Sequence, residues 1–113
     1  MCAVRDSWVG GAVPLLVHDE GRLVAALGGD SYFCWPASPG VHRLTVRMYS
    51  PHVQRAAVAT EVELRPGARA YLGLSTDLDQ GVQAQWLAEE SGLEAIERCS
   101  WEELAAPRVA RPR

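Results

Sequence analysis

The side chains with the most obvious chemistry are three histidines (His18, His42, His52), three cysteines (Cys2, Cys34, Cys99) and two acidic pairs, Glu89-Glu90 and Glu102-Glu103. No two histidines stand at the i, i+2 or i, i+4 spacing that aims two imidazoles at one metal, and no Cys-x-x-Cys occurs. A metal centre would have to assemble from distant positions such as Cys34, His42 and Cys99; surface or turn histidines are the simpler expectation. Adjacent glutamates do not face each other on a helix, so both acidic pairs read as solvated helix faces. There is no Gly-x-Ser-x-Gly elbow and no Walker loop. Gly28-Gly29-Asp30-Ser31 is glycine-rich but lies between two strand patterns and not before a helix, which argues against a phosphate cradle. These residues point to a protein that is not an enzyme, with no catalytic residues, no metal and no cofactor.

Binding surfaces are the other chemistry to consider. Trp8, Trp35, Trp86 and Trp101 are many tryptophans for this length. Trp35, beside a proline-rich loop, and Tyr49, on an outer strand face, could form a flat surface for a small ligand, glycan or peptide. Aromatics at strand ends also close sandwich cores, and that is the competing role. Arg43 and Arg47 share one face of a strand, with Arg55 beyond them. Opposite Glu61 and Glu63 they would form cross-strand charge pairs. Trp35, Tyr49, Arg43 and Arg47 are therefore the candidate binding residues.

Bulk properties narrow the classes. The chain has 113 residues, the length of one domain able to bury its own core. Its net charge of −3 gives no general attraction to nucleic acid or an anionic membrane. No apolar run approaches the ~20 residues of a membrane span. Met1–Asp6 lacks the basic and apolar regions of a signal peptide, which at face value means a cytoplasmic protein. Three widely spaced cysteines are not a disulfide framework: buried free thiols are expected, with one bridge plus a free thiol as the alternative.

The elements that must position these residues are strands. Residues 12–18 form a first arm with Val13, Leu15 and Val17 on one face, and Asp19-Glu20-Gly21-Arg22 turns into Leu23–Leu27. Ser31–Trp35 is a short aromatic strand, with Phe33 and Trp35 on one side and Tyr32 and Cys34 on the other. Val41–Tyr49 alternates most clearly: Leu44, Val46 and Met48 against Arg43, Thr45 and Arg47. Ala56–Leu64, Arg69–Leu74 and Val82–Ala88 continue the rhythm. The period then changes. Ser91-Gly92-Leu93-Glu94 matches a capping box, Leu93, Ile96 and Cys99 share a helical face, and Ser100–Glu103 repeats the capping signature. Together these predict an all-β antiparallel sandwich of about seven or eight short strands with a short C-terminal helix over residues 1–106, followed by a disordered basic tail at 107–113.

Taken in order, Arg5–Val13, Val17–Val24, Ser31–Phe33, Pro39–His42 and Leu64–Leu72 resemble an uncharacterised bacterial β-sandwich family similar to PEGA-type and carboxypeptidase-regulatory-like domains. The resemblance spans roughly residues 3–98. It implies small secreted or lipid-anchored envelope proteins without catalytic residues, with Gly21, Gly40 and Asp19 in turns and Tyr32 and Tyr71 in packing. Such proteins carry a signal or lipobox before the first strand, whereas this chain begins almost inside it. On this reading the protein is a non-catalytic module that binds a protein or envelope component through a sheet edge or through loops 28–40 and 50–55. The alternative is a small-ligand or glycan binder using exposed aromatics near Trp35.

Overall fold

A computed structural model describes residues 1–49, 57–77 and 81–104, and these form two packed sheets and one helix. Loop 50–55 with His52 and Arg55, and the tail at 107–113, lie outside the described residues. The all-β sandwich with a short C-terminal helix is the observed architecture.

One sheet is built from β2 (Leu15–Asp19), β3 (Arg22–Leu27), β5 (Gly40–Met48) and β6 (Val58–Leu64), in the order β3-β2-β5-β6 and antiparallel throughout. The second contains β1 (Cys2–Arg5), β4 (Ser31–Cys34), β7 (Tyr71–Asp77), β8 (Gly81–Leu87) and β9 (Ser100–Trp101), in the order β8-β7-β1-β4-β9. Strand β1 lies parallel to β7 and β4 parallel to β9. The turn at Glu20-Gly21 takes positive φ at both residues, the geometry that joins two twisted strands tightly.

Alternation produces the core. Leu15, Val17, Ala25, Leu27, Leu44, Val46 and Leu72 are wholly buried between the sheets, and Val58, Val62, Ala84 and Trp86 pack on the same cluster. The period breaks at a bulge between Val17 and His18, which pairs His18 with Leu23 and turns Leu23 outward, while Val24 becomes buried. Trp86 Nε1 donates to Thr60 Oγ1 at 2.8 Å, tying edge strand β8 to edge strand β6 of the opposite sheet.

Three expectations need correction. Strand β1 belongs to the sheet interior, although the alternation pattern marks no strand before residue 12. The strand is four residues long, and both Ala3 and Val4 are buried because the other sheet covers one face and the helix the other, so no alternation shows. Helix α1 runs from Glu89 to Glu97, so Ser91 lies inside it and caps nothing; Glu89 and Glu90 instead place negative charge at the N-terminal end of the helix dipole. Its buried residues are Gly92 and Ala95, not Leu93: a Cβ on Gly92 would stand 2.4 Å from Tyr71 Cγ, so only glycine lets the helix rest on that ring. Ser100-Trp101 is strand, not a second capped helix.

Cys2 and Cys34 stand directly opposite each other on β1 and β4 and are bridged, while Cys99 is free. The alternative of one bridge plus one thiol is therefore the observed one. The bridge closes a loop of 32 residues in sequence separation, which in the chain-entropy treatment stabilises by roughly 3–4 kcal/mol. Replacing both residues by alanine should lower the unfolding free energy by that amount and raise the m-value, because the unbridged chain unfolds to a more expanded ensemble. Thiol titration of the unfolded chain should count one thiol before reduction and three after.

Candidate functional site

The first place of interest is an end of the sandwich organised by Arg5. This side chain is fully buried at the end of β1. Its Nη1 donates to Leu27 O at 2.7 Å and Val13 O at 2.8 Å, and Nη2 donates to Gly10 O at 3.0 Å. Its Nε has no acceptor. Burial lowers its pKa, and the more distant Glu102 carboxylate opposes that shift. Glu102 itself accepts from Gly28 N–H at 2.6 Å. Around the guanidinium the loop between β1 and β2 is fastened on every side. Gly11 N–H donates to Trp8 O, Gly29 N–H to Gly11 O, Asp30 N–H to Ser7 O, and Thr76 Oγ1 to Val9 O. A Cβ on Gly29 would meet Trp8 Cε3 at 2.5 Å, so the indole packs directly against a glycine backbone. The outcome is a pinned loop whose tip leaves Trp8 69% and Val9 54% exposed. Tyr49, 61% exposed, joins the same end, because its N–H donates to Pro14 O.

The opposite end holds a second buried charge. Asp19 at the end of β2 accepts from Trp35 Nε1 at 3.0 Å through Oδ2 and faces His42 Nδ1 at 2.8 Å through Oδ1. His42 Nε2 lies 2.6 Å from Ser38 O. A cavity of about 320 Å³ opens beside this cluster, lined also by Glu20, Arg22 and Pro36. An aspartate oriented on an imidazole is half of a nucleophile-activating arrangement, but here the second ring nitrogen meets a carbonyl and not a hydroxyl. Both nitrogens face acceptors, an arrangement that favours the protonated ring: the Ser38 carbonyl and then Asp19 raise its pKa against the cost of burial. Such a ring ties loop 36–39 to the sheet and offers no free base.

The third place is a groove of about 380 Å³ on the outer face of the five-stranded sheet, between α1 and β9. The Cys2–Cys34 bridge and Tyr71 line it, with Tyr32 and Trp101 at one wall and Leu93 and Ile96 at the other. Trp101 meets Tyr32 edge to face at 5.5 Å and is 51% exposed.

The candidate binding residues separate. Trp35 is 5% exposed, packs in the core and spends its indole N–H on Asp19, so the exposed-aromatic role is corrected in favour of the core. Arg43 and Arg47 lie exposed on the outer face of the four-stranded sheet, Arg43 paired with Glu61 and Arg47 with Leu16 across neighbouring strands. Burial and then Arg47 depress His18 on the same sheet. Cys34, His42 and Cys99 do not converge, and among the described residues no group of three or more His, Cys, Asp or Glu is arranged to hold a metal. Cys99 faces Arg5 O, and burial followed by Asp6 pushes its thiol up to about 11. Sequence reasoning missed Arg5 as a buried clasp and treated Asp19 as a turn residue; the paired glycines at 10–11 and 28–29 were the available sign of two backbones in close approach.

No family model, no curated protein and no solved structure matches this chain. Among the described residues, no helix is long and apolar enough to cross a membrane.

His42 yields a pH prediction. Its folded pKa lies above its unfolded value, so the folded chain binds the extra proton. Its contribution is complete below the ordinary histidine pKa of about 6.5 and disappears as pH rises through the folded value. In a His18→Asn background, which removes the opposite contribution of the depressed His18, unfolding free energy should fall with rising pH across that window. His42→Gln should flatten the slope. A His42 imidazole NMR titration centred at or below 6.5 would contradict the assignment.

Proposed function

We propose that this protein is a non-catalytic module that binds a protein component of the bacterial cell envelope through the end of the sandwich carrying Trp8, Val9 and Tyr49. The observation that carries the reading is the pinned loop: a buried arginine and a set of backbone hydrogen bonds fix a loop whose tip exposes a tryptophan and a valine. Large apolar side chains held rigidly in water gain most from a partner's pocket, because little freedom is left to lose on binding. Asp6, Asp30 and Glu102 around this end outnumber Arg98 and the buried Arg5, which favours a partner whose pocket has a basic rim.

The competing sheet-edge mode is disfavoured at two of the four edges. Of the four edge strands, β6 presents Glu61 and Glu63 to solvent and β9 has only two residues, features that discourage strand addition there, which leaves β3 and β8 as the edges open to it. The non-catalytic character is supported by the state of the perturbed groups: His42 has both nitrogens engaged, Arg5 is spent on carbonyls, and the Cys99 thiol is held protonated. The envelope assignment rests on the resemblance to PEGA-type domains and on the Cys2–Cys34 bridge, which suits an oxidising compartment.

Immobilised protein should retain a specific protein from an envelope extract. Trp8→Ser should lose it while Trp101→Ser, on another face, keeps it. With that partner purified, Trp8→Ser should raise Kd about 30-fold, as expected of a central tryptophan anchor. An unchanged Kd for Trp8→Ser, at equal thermal stability, would remove the tip from the binding surface.

A further inference from the structure

We propose that the groove between α1 and β9 is a separate binding site for an acyl-chain carboxylate, with the chain against Trp101, Tyr71 and Leu93 and the carboxylate on the Arg69 guanidinium. This site is independent of the Trp8 tip and stands or falls without it.

Two walls define the site. Trp101 belongs to β9 and Leu93 to α1, two elements that flank the same depression, and both side chains remain substantially exposed. Neither element is free to collapse onto the other. Gly92 sets the helix directly on the Tyr71 ring, and β9 is fixed beside β4 by Ser100 N–H to Asp30 O and Glu102 N–H to Tyr32 O. The separation of the walls is therefore built into the fold. The surface between them is apolar and sulfur-lined, made by Tyr71, Ile96 and the Cys2–Cys34 bridge. At about 380 Å³ the depression falls within the range of small-molecule sites and is too small for a folded partner.

Charge selects the head group. Arg69 lines the same groove, is exposed, and has no carboxylate partner among the described residues. Its position is held by the neighbouring backbone, where Cys2 N–H donates to Ala70 O at 2.9 Å. No acidic side chain lines this groove among the described residues. A planar guanidinium at the margin of an apolar slot is complementary to a carboxylate carried on an apolar chain. A cationic amphiphile would meet repulsion, and a neutral one would leave Arg69 unused.

The test is titration calorimetry of the oxidised full chain with decanoate below its micellar range, alongside decanol, decyltrimethylammonium and a tetrapeptide ending in leucine with a free carboxylate. Decanoate should bind one to one, about tenfold more tightly than decanol or the cation. Arg69→Gln, a change at an exposed position just before β7, should reduce decanoate to the level of decanol. Trp101→Ser should weaken both. Amide shifts on adding decanoate should map to Tyr71, Leu93 and Trp101, which reads out the site even if a variant is unstable. Absence of decanoate binding at millimolar concentration, or equal binding by the parent and Arg69→Gln chains, overturns the proposal. Tighter binding of the peptide than of decanoate overturns the acyl assignment.

Discussion

The buried guanidinium of Arg5 is the constraint on which this structure depends. Removing an arginine from water is costly, and without acceptors it would oppose folding by several kcal/mol. The acceptors here are three main-chain carbonyls from two different places: Gly10 and Val13 in the β1–β2 loop and Leu27 at the end of β3. Arg5 lies in the five-stranded sheet and Leu27 in the four-stranded one. One side chain therefore holds the two layers together and orders a loop that has few apolar contacts of its own. Glu102 completes the arrangement by capping Gly28 N–H, the residue after Leu27.

The same device recurs with the sign reversed at the other end. Asp19 belongs to the four-stranded sheet, and its carboxylate takes the indole N–H of Trp35, which follows β4 of the five-stranded sheet, together with His42 from β5. On the open side, Trp86 and Thr60 make a neutral version between β8 and β6. Hydrophobic burial brings the sheets together but is indifferent to sliding. Directional hydrogen bonds at two ends and one edge fix the register between layers, and buried polar groups punish any slip that would leave them unpaired.

This explains what could be read from the chain and what could not. Leu44, Val46, Val62, Leu72 and Trp86 obey a two-residue period, and all five lie in or against the core. Period is a local property and survives in a sequence. Strand β1 carries none, because it is covered on both faces. The helix boundary shifted because the capping pattern at Ser91 is local, whereas the contact of Gly92 with Tyr71 joins residues far apart in the chain. Arg5, Asp19 and the Cys2–Cys34 bridge are invisible for the same reason. Their partners lie 22, 23 and 32 residues away, and beyond the glycine pairs at 10–11 and 28–29 nothing in the intervening sequence marks the pairing.

The site followed the same logic, which is why the residues first chosen did not gather. Trp35 combines size with neighbouring prolines, features shared by a binding aromatic and a core aromatic. What separates the two is whether the indole N–H finds a partner inside, and Asp19 supplies one. Trp8 and Trp101 have no such interior partner and remain in water. In a domain this small, each tryptophan left outside forgoes apolar burial worth a noticeable share of the total stability. Trp8 is held out by a clasp that itself requires a buried charge, and Trp101 by a strand of two residues. The fold thus spends stability to present these two rings on surfaces with different electrostatic character, an acidic end and an arginine-edged groove, and that difference is the ground for proposing different ligands for them.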